Sequence, residues 1–246
     1  MRTIVRSALR ILGQLPALPA DEFLERILCT VPGMVDRENL PLLDLAVRGI
    51  TGPGPVLEIG VFCGQGTAVL SHLLDRHGKA NPIWCVDPFV CQGSHDASPP
   101  TPDYLEQVGG NANLTRTEYT RFVREAFLRN TAVFARTRDV VLFEIGSDLF
   151  FPDLESGTLR SADGRQVPSP PSGFALTVID GDHSYEATLR DLRGAAAHAA
   201  PGSYVLLDDS RPGGWLGSVQ AGREAARDRR LQVVYRRPNL LLRKRI

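Results

Sequence analysis

The chain has 246 residues and a formal net charge of +0 at pH 7, from 28 basic and 28 acidic side chains. Hydrophobic residues account for 43% and charged residues for 23%, as in soluble globular proteins with a substantial core. No basic block is present, which argues against nucleic-acid binding, and no apolar run approaches the roughly 20 residues needed to span a membrane. The unbroken alternation of strand and helix patterns favours one α/β domain.

Cysteine usage and the N-terminus both favour a cytoplasmic protein. The four cysteines form no C-x-x-C pair, so neither a zinc site nor a redox motif is indicated. Reduced cysteines fit the cytoplasm best. Arginines and a proline interrupt the apolar stretch of residues 1–20, which argues against a secretion signal.

The N-terminal 50 residues predict helices, because apolar side chains share one helical face over 23–28 and again over 40–46. A turn-forming run at 51–55 then breaks the chain. We therefore expect a helical extension over 1–50 and the main domain over 51–246. The extension lacks polar clusters in sequence, so we expect it to matter for assembly or acceptor access more than for cofactor binding. The oligomeric state stays open, with a homo-oligomer as one option.

A first strand, 56–59, leads into a glycine-rich turn and a helix at 67–76. The motif is E-x-G-x-x-x-G-x-G and comprises Glu58, Gly60, Gly64 and Gly66. Its spacing does not match the G-x-G-x-x-G of dinucleotide-binding loops. A carboxylate beside the loop would repel a pyrophosphate but attract an ammonium or a sulfonium group. A glycine turn without a ligand is the alternative.

Two further strands carry polar residues at their ends. Strand 83–86 ends at Asp87, which could accept hydrogen bonds from ribose hydroxyls. Strand 140–145 is followed by Ser147 and Asp148, at the position expected for contacts to a base, although Asp148 could instead cap the next helix. The long loop 88–115 and the polar insertion 157–173 are predicted surface segments that shape the acceptor site.

The most informative pattern is at the ends of the fourth and fifth strands, 175–179 and 203–207. Asp180 and His183 follow the fourth strand, and Asp208 and Asp209 follow the fifth. Open α/β sheets bind ligands at the carboxyl ends of their strands. Clustered carboxylates need a cation, or else one of them must raise its pKa. The alternatives are a solvated strand end and a structural histidine. Helices at 118–128, 185–199 and 219–229 and a closing hairpin at 231–243 complete the predicted elements.

Four segments carry a family resemblance over roughly residues 50–245: LEIGVFCGQGT, VDPF, IDGDHSYEATLRDL and VLLDD. They resemble class I S-adenosylmethionine-dependent methyltransferases, and most closely the small-molecule branch with metal-dependent O-methyltransferases of antibiotic sugars. The resemblance implies a Rossmann-like, seven-stranded, mostly parallel sheet with a final antiparallel strand and helices on both faces.

The same resemblance implies roles for individual residues. It places S-adenosylmethionine against Glu58, Gly60, Gly64, Gly66, Asp87, Ser147 and Asp148. It implies that Asp180, Asp208 and Asp209 bind Mg²⁺ or a similar divalent cation, with His183 as the general base and Asp180 beside it. Relatives often have Glu-Asp at the paired position, whereas this chain has Asp-Asp, so the shorter side chain could shift or weaken the ion.

The sequence thus predicts methyl transfer from S-adenosylmethionine to a hydroxyl of a small molecule, a sugar or sugar-bearing secondary metabolite, with an amine of an aminosugar as second choice. Metal-free catalysis on the same fold is one alternative. A nicotinamide-dependent oxidoreductase and a catalytically silent metabolite-binding protein are the others, and cofactor binding would separate them.

Overall fold

A seven-stranded sheet forms the centre of the molecule. The computed structural model describes residues 18–90, 105–108 and 111–246. The strands lie in the order β5-β2-β1-β6-β7-β9-β8, and only β9 runs antiparallel to its neighbours. The predicted sheet is therefore confirmed. Its members are β1 (Val56–Ile59), β2 (Ile83–Val86), β5 (Val140–Phe143), β6 (Phe174–Ile179), β7 (Ala199–Leu207), β8 (Leu231–Tyr235) and β9 (Leu240–Lys244).

Seven α-helices accompany the strands in the part of the chain that the structure describes. A 3₁₀ turn, Arg37–Asn39, precedes the second helix. Among these helices, none has the length and apolar character needed to cross a membrane. The helices are α1 (Glu22–Thr30), α2 (Leu40–Arg48), α3 (Gln65–Arg76), α4 (Arg116–Phe134), α5 (Ser147–Ser156), α6 (Tyr185–His198) and α7 (Leu216–Ala225).

Apolar side chains cover both faces of the sheet. Leu24 and Ile27 of α1 pack into one core with Leu70 of α3, and all three are at most 1% exposed. Phe150 of α5 and Leu192 of α6 belong to the core on the other face. The central strands are consequently buried on both sides, which is why they read as continuous apolar runs. The N-terminal helices share a core with the main domain.

Helix α4 is longer than its predicted range of 118–128. Its start at Arg116 is fixed by a capping box, in which Thr115 accepts from the backbone N–H of Glu118 and Glu118 accepts from Thr115. The loop predicted over 88–115 contains a two-stranded hairpin, β3 (Leu105–Val108) and β4 (Asn111–Thr115). Residues 91–104 and 109–110 of that loop, and residues 1–17, lie outside the described residues.

The insertion 157–173 is mostly exposed, as its polar composition predicts, but two of its apolar residues anchor it to the core. Leu159 is 0% exposed and Val167 is 8% exposed, and both pack into the core under α5 and α6. The backbone N–H of Ala162 also donates to the carbonyl of Leu142 in β5, at 2.7 Å. The insertion therefore covers the outer edge of the sheet at β5, which β2 and β1 separate from β6.

This packing makes a testable difference to stability. We expect Leu159→Ala to lower the free energy of unfolding by about 2–5 kcal/mol, because it removes buried methyl groups and leaves a cavity. Leu149→Ala, at a side chain that is 54% exposed, should change it by less than about 0.5 kcal/mol. Urea titration of both variants measures the difference. Equal, small effects would contradict a core role for the insertion.

Candidate functional site

The glycine turn after β1 needs glycine for two separate reasons. Gly60 and Gly64 adopt φ values of 83° and 87°, in the left-handed region. A Cβ on Gly60 would also lie 2.1 Å from the carbonyl oxygen of Asp180, so the turn and the end of β6 touch through backbone. Phe62 adopts a positive φ of 45° without being glycine. Such strain is concentrated at functional sites and is held in place by the surroundings.

Glu58 supports this turn from inside the sheet. Its side chain is buried, and one oxygen accepts a hydrogen bond from the Thr67 hydroxyl at 2.5 Å. The other oxygen lies where a Cβ on Gly66 would fall, at 2.2 Å, so Gly66 is needed for the approach. Burial raises the pKa of Glu58 to about 8, with a further contribution from the charge of Asp87. A cationic ligand above the turn would favour the ionised form.

Asp87 organises the turn through its carboxylate. One oxygen accepts from the backbone N–H groups of Val61 and Phe62, at 2.9 and 3.1 Å, and the other accepts from Phe89 at 2.7 Å. Burial raises the pKa of Asp87, while these three N–H groups oppose the shift. The predicted ribose-binding residue is thus also the residue that fixes the shape of the glycine turn.

Two residues that the sequence did not predict as functional connect the turn to neighbouring segments by hydrogen bonds. Gln65 accepts from the backbone N–H of Val35 and donates to the carbonyls of Leu28 and Val31. Asn130 of α4 donates to the carbonyl of Cys63 at 2.7 Å. Both link segments that are 30 or more residues apart, so no local pattern in the sequence could have found them.

Ser147 and Asp148 begin α5, one strand further along the sheet. Asp148 is exposed and makes no capping hydrogen bond, so the helix-cap alternative for it is wrong. Ser147 contacts Asp191 of α6, which is 1% exposed and has an oxygen without a hydrogen-bond partner among the described residues. Burial raises the pKa of Asp191 to about 7, against the opposing effects of Ser147 and Arg190.

The ends of β6 and β7 bring two acidic residues into contact. The backbone N–H of Asp180 bonds to Ile59, and that of Asp208 bonds to Ile179, so both follow the sheet register. Their carboxyl groups are hydrogen-bonded to each other. Burial raises the pKa of Asp180 well above its usual range, and the charges of Asp208 and Asp209 raise it further. The pair therefore needs a shared proton or a cation.

Asp209 and His183 form the outer half of this acidic centre. Asp209 has a positive φ of 51°, and one of its oxygens lies 3.5 Å from Nε2 of His183. The Nδ1 atom of His183 is 3.4 Å from the Ser218 hydroxyl, and its ring stacks on Trp215 with centroids 5.8 Å apart. Three neighbours thus orient the predicted base. Asp182 accepts from the backbone N–H of Ser184 in the turn before α6.

The oxygen donors suit a hard cation such as Mg²⁺. Asp180 and Asp208 fit that role as a contacting pair, and Asp209 is close enough to act on Asp180 through its charge. Within the described residues, however, no three His, Cys, Asp or Glu side chains converge as a set that could hold a metal ion. The predicted three-aspartate site therefore stays a prediction.

An open surface cavity lies at Arg211, two residues after Asp209. Its volume is about 590 Å³, and it is lined by Glu38, Arg211, Pro212, Arg237 and Pro238. Arg211 forms a 2.8 Å ion pair with Asp36. Burial and the charge of Asp208 raise the pKa of Asp209, and the charges of His183 and Arg211 oppose that rise. The cavity is large enough for a small molecule.

The N-terminal extension contributes polar contacts to this region, while its expected role in assembly or acceptor access stays a prediction. Asp36 pairs with Arg211, and Asn39 donates to Asp208 at 2.5 Å. Earlier in the same extension, one carboxylate oxygen of Asp21 lies 2.6 Å from Nε2 of His72. These contacts join residues far apart in sequence, and therefore they leave no local charge pattern.

Comparisons with known proteins identify the family and agree with the fold. Residues 57–210 match the sequence model of the family described as Methyltransferase domain, over more than half of the chain. A search of curated protein sequences found no match.

Three solved structures share the fold. The calicheamicin methyltransferase CalS11 is 18% identical, with a TM-score of 0.55 over 99% of this chain and 93% of that one. The O-methyltransferase NovP is 19% identical, with a TM-score of 0.55 over 87% and 82% of the two chains. TomG from Streptomyces achromogenes, an O-methyltransferase involved in tomaymycin synthesis and solved with S-adenosylmethionine, is 15% identical, with a TM-score of 0.55 over 99% and 96%.

The buried carboxyl group of Asp191 gives a pH-dependent prediction. Its pKa is higher in the folded state than in the unfolded state, so the stability associated with its proton is lost as pH rises from about 4 through 7. Asp191→Asn keeps the shape but does not ionise. We expect the variant to melt several degrees above the wild type at pH 8 and much closer to it at pH 5. A difference in melting temperature independent of pH would contradict this.

Proposed function

Because this chain belongs to the methyltransferase-domain family and is an S-adenosylmethionine-dependent methyltransferase, we propose that it methylates a hydroxyl of a small molecule in the cytoplasm. A sugar or sugar-bearing secondary metabolite is the proposed acceptor, with an aminosugar amine as second choice. The antibiotic-related methyltransferases that share the fold support this acceptor class.

The acidic centre is the observation that carries the proposal. The contact between the end of β6 and the glycine turn, through Gly60 and Asp180, puts the cofactor loop directly beside the carboxyl pair. A cofactor above the turn and an acceptor in the cavity by Arg211 would meet at Asp180 and Asp209. Much of the rate enhancement would come from holding two bound molecules in line.

For the cofactor, we propose the residues that the sequence singled out. Gly60, Gly64 and Gly66 would let the ligand approach the backbone, and Glu58 beneath them would carry negative charge once a cationic ligand favours its ionised form. Asp87 would meet the ribose while it holds the turn. Ser147 and Asp148, at the start of α5, would border the base.

For the chemistry, we propose that Asp180, Asp208 and Asp209 hold one divalent cation, Mg²⁺ by preference. Such an ion supplies Lewis acidity and a template for the acceptor oxygens. His183 would accept the hydroxyl proton at Nε2, because imidazole is a common general base in enzymes and the ring is already oriented by Trp215. The deprotonated oxygen would then bond to the methyl carbon as the methyl–sulfur bond breaks, which leaves S-adenosylhomocysteine.

The cofactor assignment predicts the effect of removing either acidic residue at the turn. Glu58→Ala and Asp87→Ala should each weaken S-adenosylmethionine binding by about tenfold, as expected for lost charge-assisted contacts and a loosened turn. Glu155→Ala, at an exposed carboxylate of α5, is the matched control and should bind normally. Isothermal calorimetry gives the affinities. A wild-type protein without affinity for S-adenosylmethionine would rule the proposal out.

The catalytic assignment is tested by turnover. Sugars and aminosugars are screened for release of S-adenosylhomocysteine, and mass spectrometry of the product then distinguishes O- from N-methylation. We expect His183→Ala to lower the turnover number by roughly 10²–10⁴-fold while cofactor binding stays intact. We expect chelation to abolish turnover and added Mg²⁺ to restore it, with Asp208→Asn impaired at any Mg²⁺ concentration.

Two results would count against these roles. Full turnover by an enzyme from which all metal has been removed would contradict the proposed role of the metal. His183 and Asp180 would then act together as a metal-free general base. Unchanged turnover in His183→Ala would contradict the assignment of His183 as the general base. Glu186→Gln, an exposed carboxyl change on the first turn of α6, serves as the control for both.

A further inference from the structure

Asp208 is held by two buried amides that come from opposite ends of the chain. Its Oδ1 atom accepts from Nδ2 of Asn39 at 2.5 Å and from Nδ2 of Asn239 at 2.6 Å. Asn239 also donates to Oδ1 of Asn39 at 3.0 Å. The exposed fractions of the three residues are 4%, 7% and 0% for Asn39, Asp208 and Asn239. Side chains in such a closed network have little freedom to rotate.

Asn239 also fixes the backbone that follows the acidic pair. Its Oδ1 atom accepts from the backbone N–H groups of Ser210 and Arg211, at 2.9 and 3.0 Å. Both amide hydrogens of Asn239 are already used on Asp208 and Asn39, so the side chain is fully satisfied. One residue in the turn between β8 and β9 thereby sets the position of Asp208 and the path of the chain after Asp209.

The same three segments also form the cavity. Glu38 precedes Asn39 and Pro238 precedes Asn239, while the backbone N–H of Arg211 donates to Asn239. Glu38, Pro238 and Arg211 all line the 590 Å³ space. A movement of either asparagine would therefore shift the carboxyl group of Asp208 relative to the cavity wall. Asp208 meanwhile remains hydrogen-bonded to Asp180.

We infer that Asn39 and Asn239 are positioning residues that fix Asp208 for cation binding and align it with the acceptor cavity. Both act through Asp208. The inference rests on the proposed function, since it assumes that Asp208 binds the cation. It makes the N-terminal extension part of the active centre, because Asn39 supplies one of the two amides.

The test is Mn²⁺ binding in the presence of S-adenosylhomocysteine, followed by electron paramagnetic resonance, which needs no acceptor. The variants are Asn39→Ala and Asn239→Ala. The matched control is Asn81→Ala, because Asn81 is also buried at 5% exposure but donates only to the carbonyls of Gly52 and Gly54, at the opposite end of the strands. Binding is measured well below the melting temperature of each protein.

We expect Asn39→Ala and Asn239→Ala to weaken Mn²⁺ binding at least tenfold, with S-adenosylhomocysteine binding unchanged, and Asn81→Ala to bind Mn²⁺ within twofold of the wild type. If Asn39→Ala does not fold, Asn39→Ser, which keeps a hydroxyl donor, should show a smaller loss in the same direction. Wild-type affinity in both amide variants, or an equal loss in Asn81→Ala, would overturn the inference. A wild type that binds S-adenosylhomocysteine but no Mn²⁺ would overturn it together with the metal role, whereas one that binds neither would overturn the proposed function itself.

Discussion

Two carboxyl groups in contact at the ends of neighbouring parallel strands are the constraint on which the rest of the site depends. Pairing of β6 with β7 sets Ile179 opposite Leu207, so Asp180 and Asp208 follow at the same level of the sheet. Strand pairing thus fixes both backbone positions. Two buried carboxylates cannot both stay ionised side by side unless positive charge or hydrogen-bond donors compensate. The surroundings must supply that compensation.

The structure supplies hydrogen-bond donors and positive charge to these carboxyl groups from several directions. Amide N–H groups of Asn39 and Asn239 stabilise Asp208, and Arg211 and His183 act on Asp209 through their charge. For Asp180 the strongest influences all raise its pKa, so it is the group with most to gain from a bound cation. An acidic centre of this kind costs free energy, and a structural role alone does not explain that cost. The cost is the physical argument for chemistry at this point.

The sequence predicted the sheet and the residues at its carboxyl edge because both leave local signals. Apolar runs ending in Asp180 and Asp208, and glycines spaced after Glu58, are visible within a few residues. The asparagines were not predicted, since Asn39 lies 169 residues from the Asp208 that it contacts. The burial of Leu159 was not predicted for a related reason. A single apolar residue in a polar stretch shows no periodicity that would indicate burial.

Crystals grown with S-adenosylhomocysteine and Mn²⁺ test the central claim most directly, through anomalous scattering from the metal. The account predicts one anomalous peak within coordination distance of Asp180 and Asp208, and cofactor density against the glycine turn at Gly60 and Gly64. Cofactor density at the turn with no peak at the acidic pair would contradict the metal-dependent account. Cofactor bound elsewhere, or not at all, would contradict the assignment of the whole site.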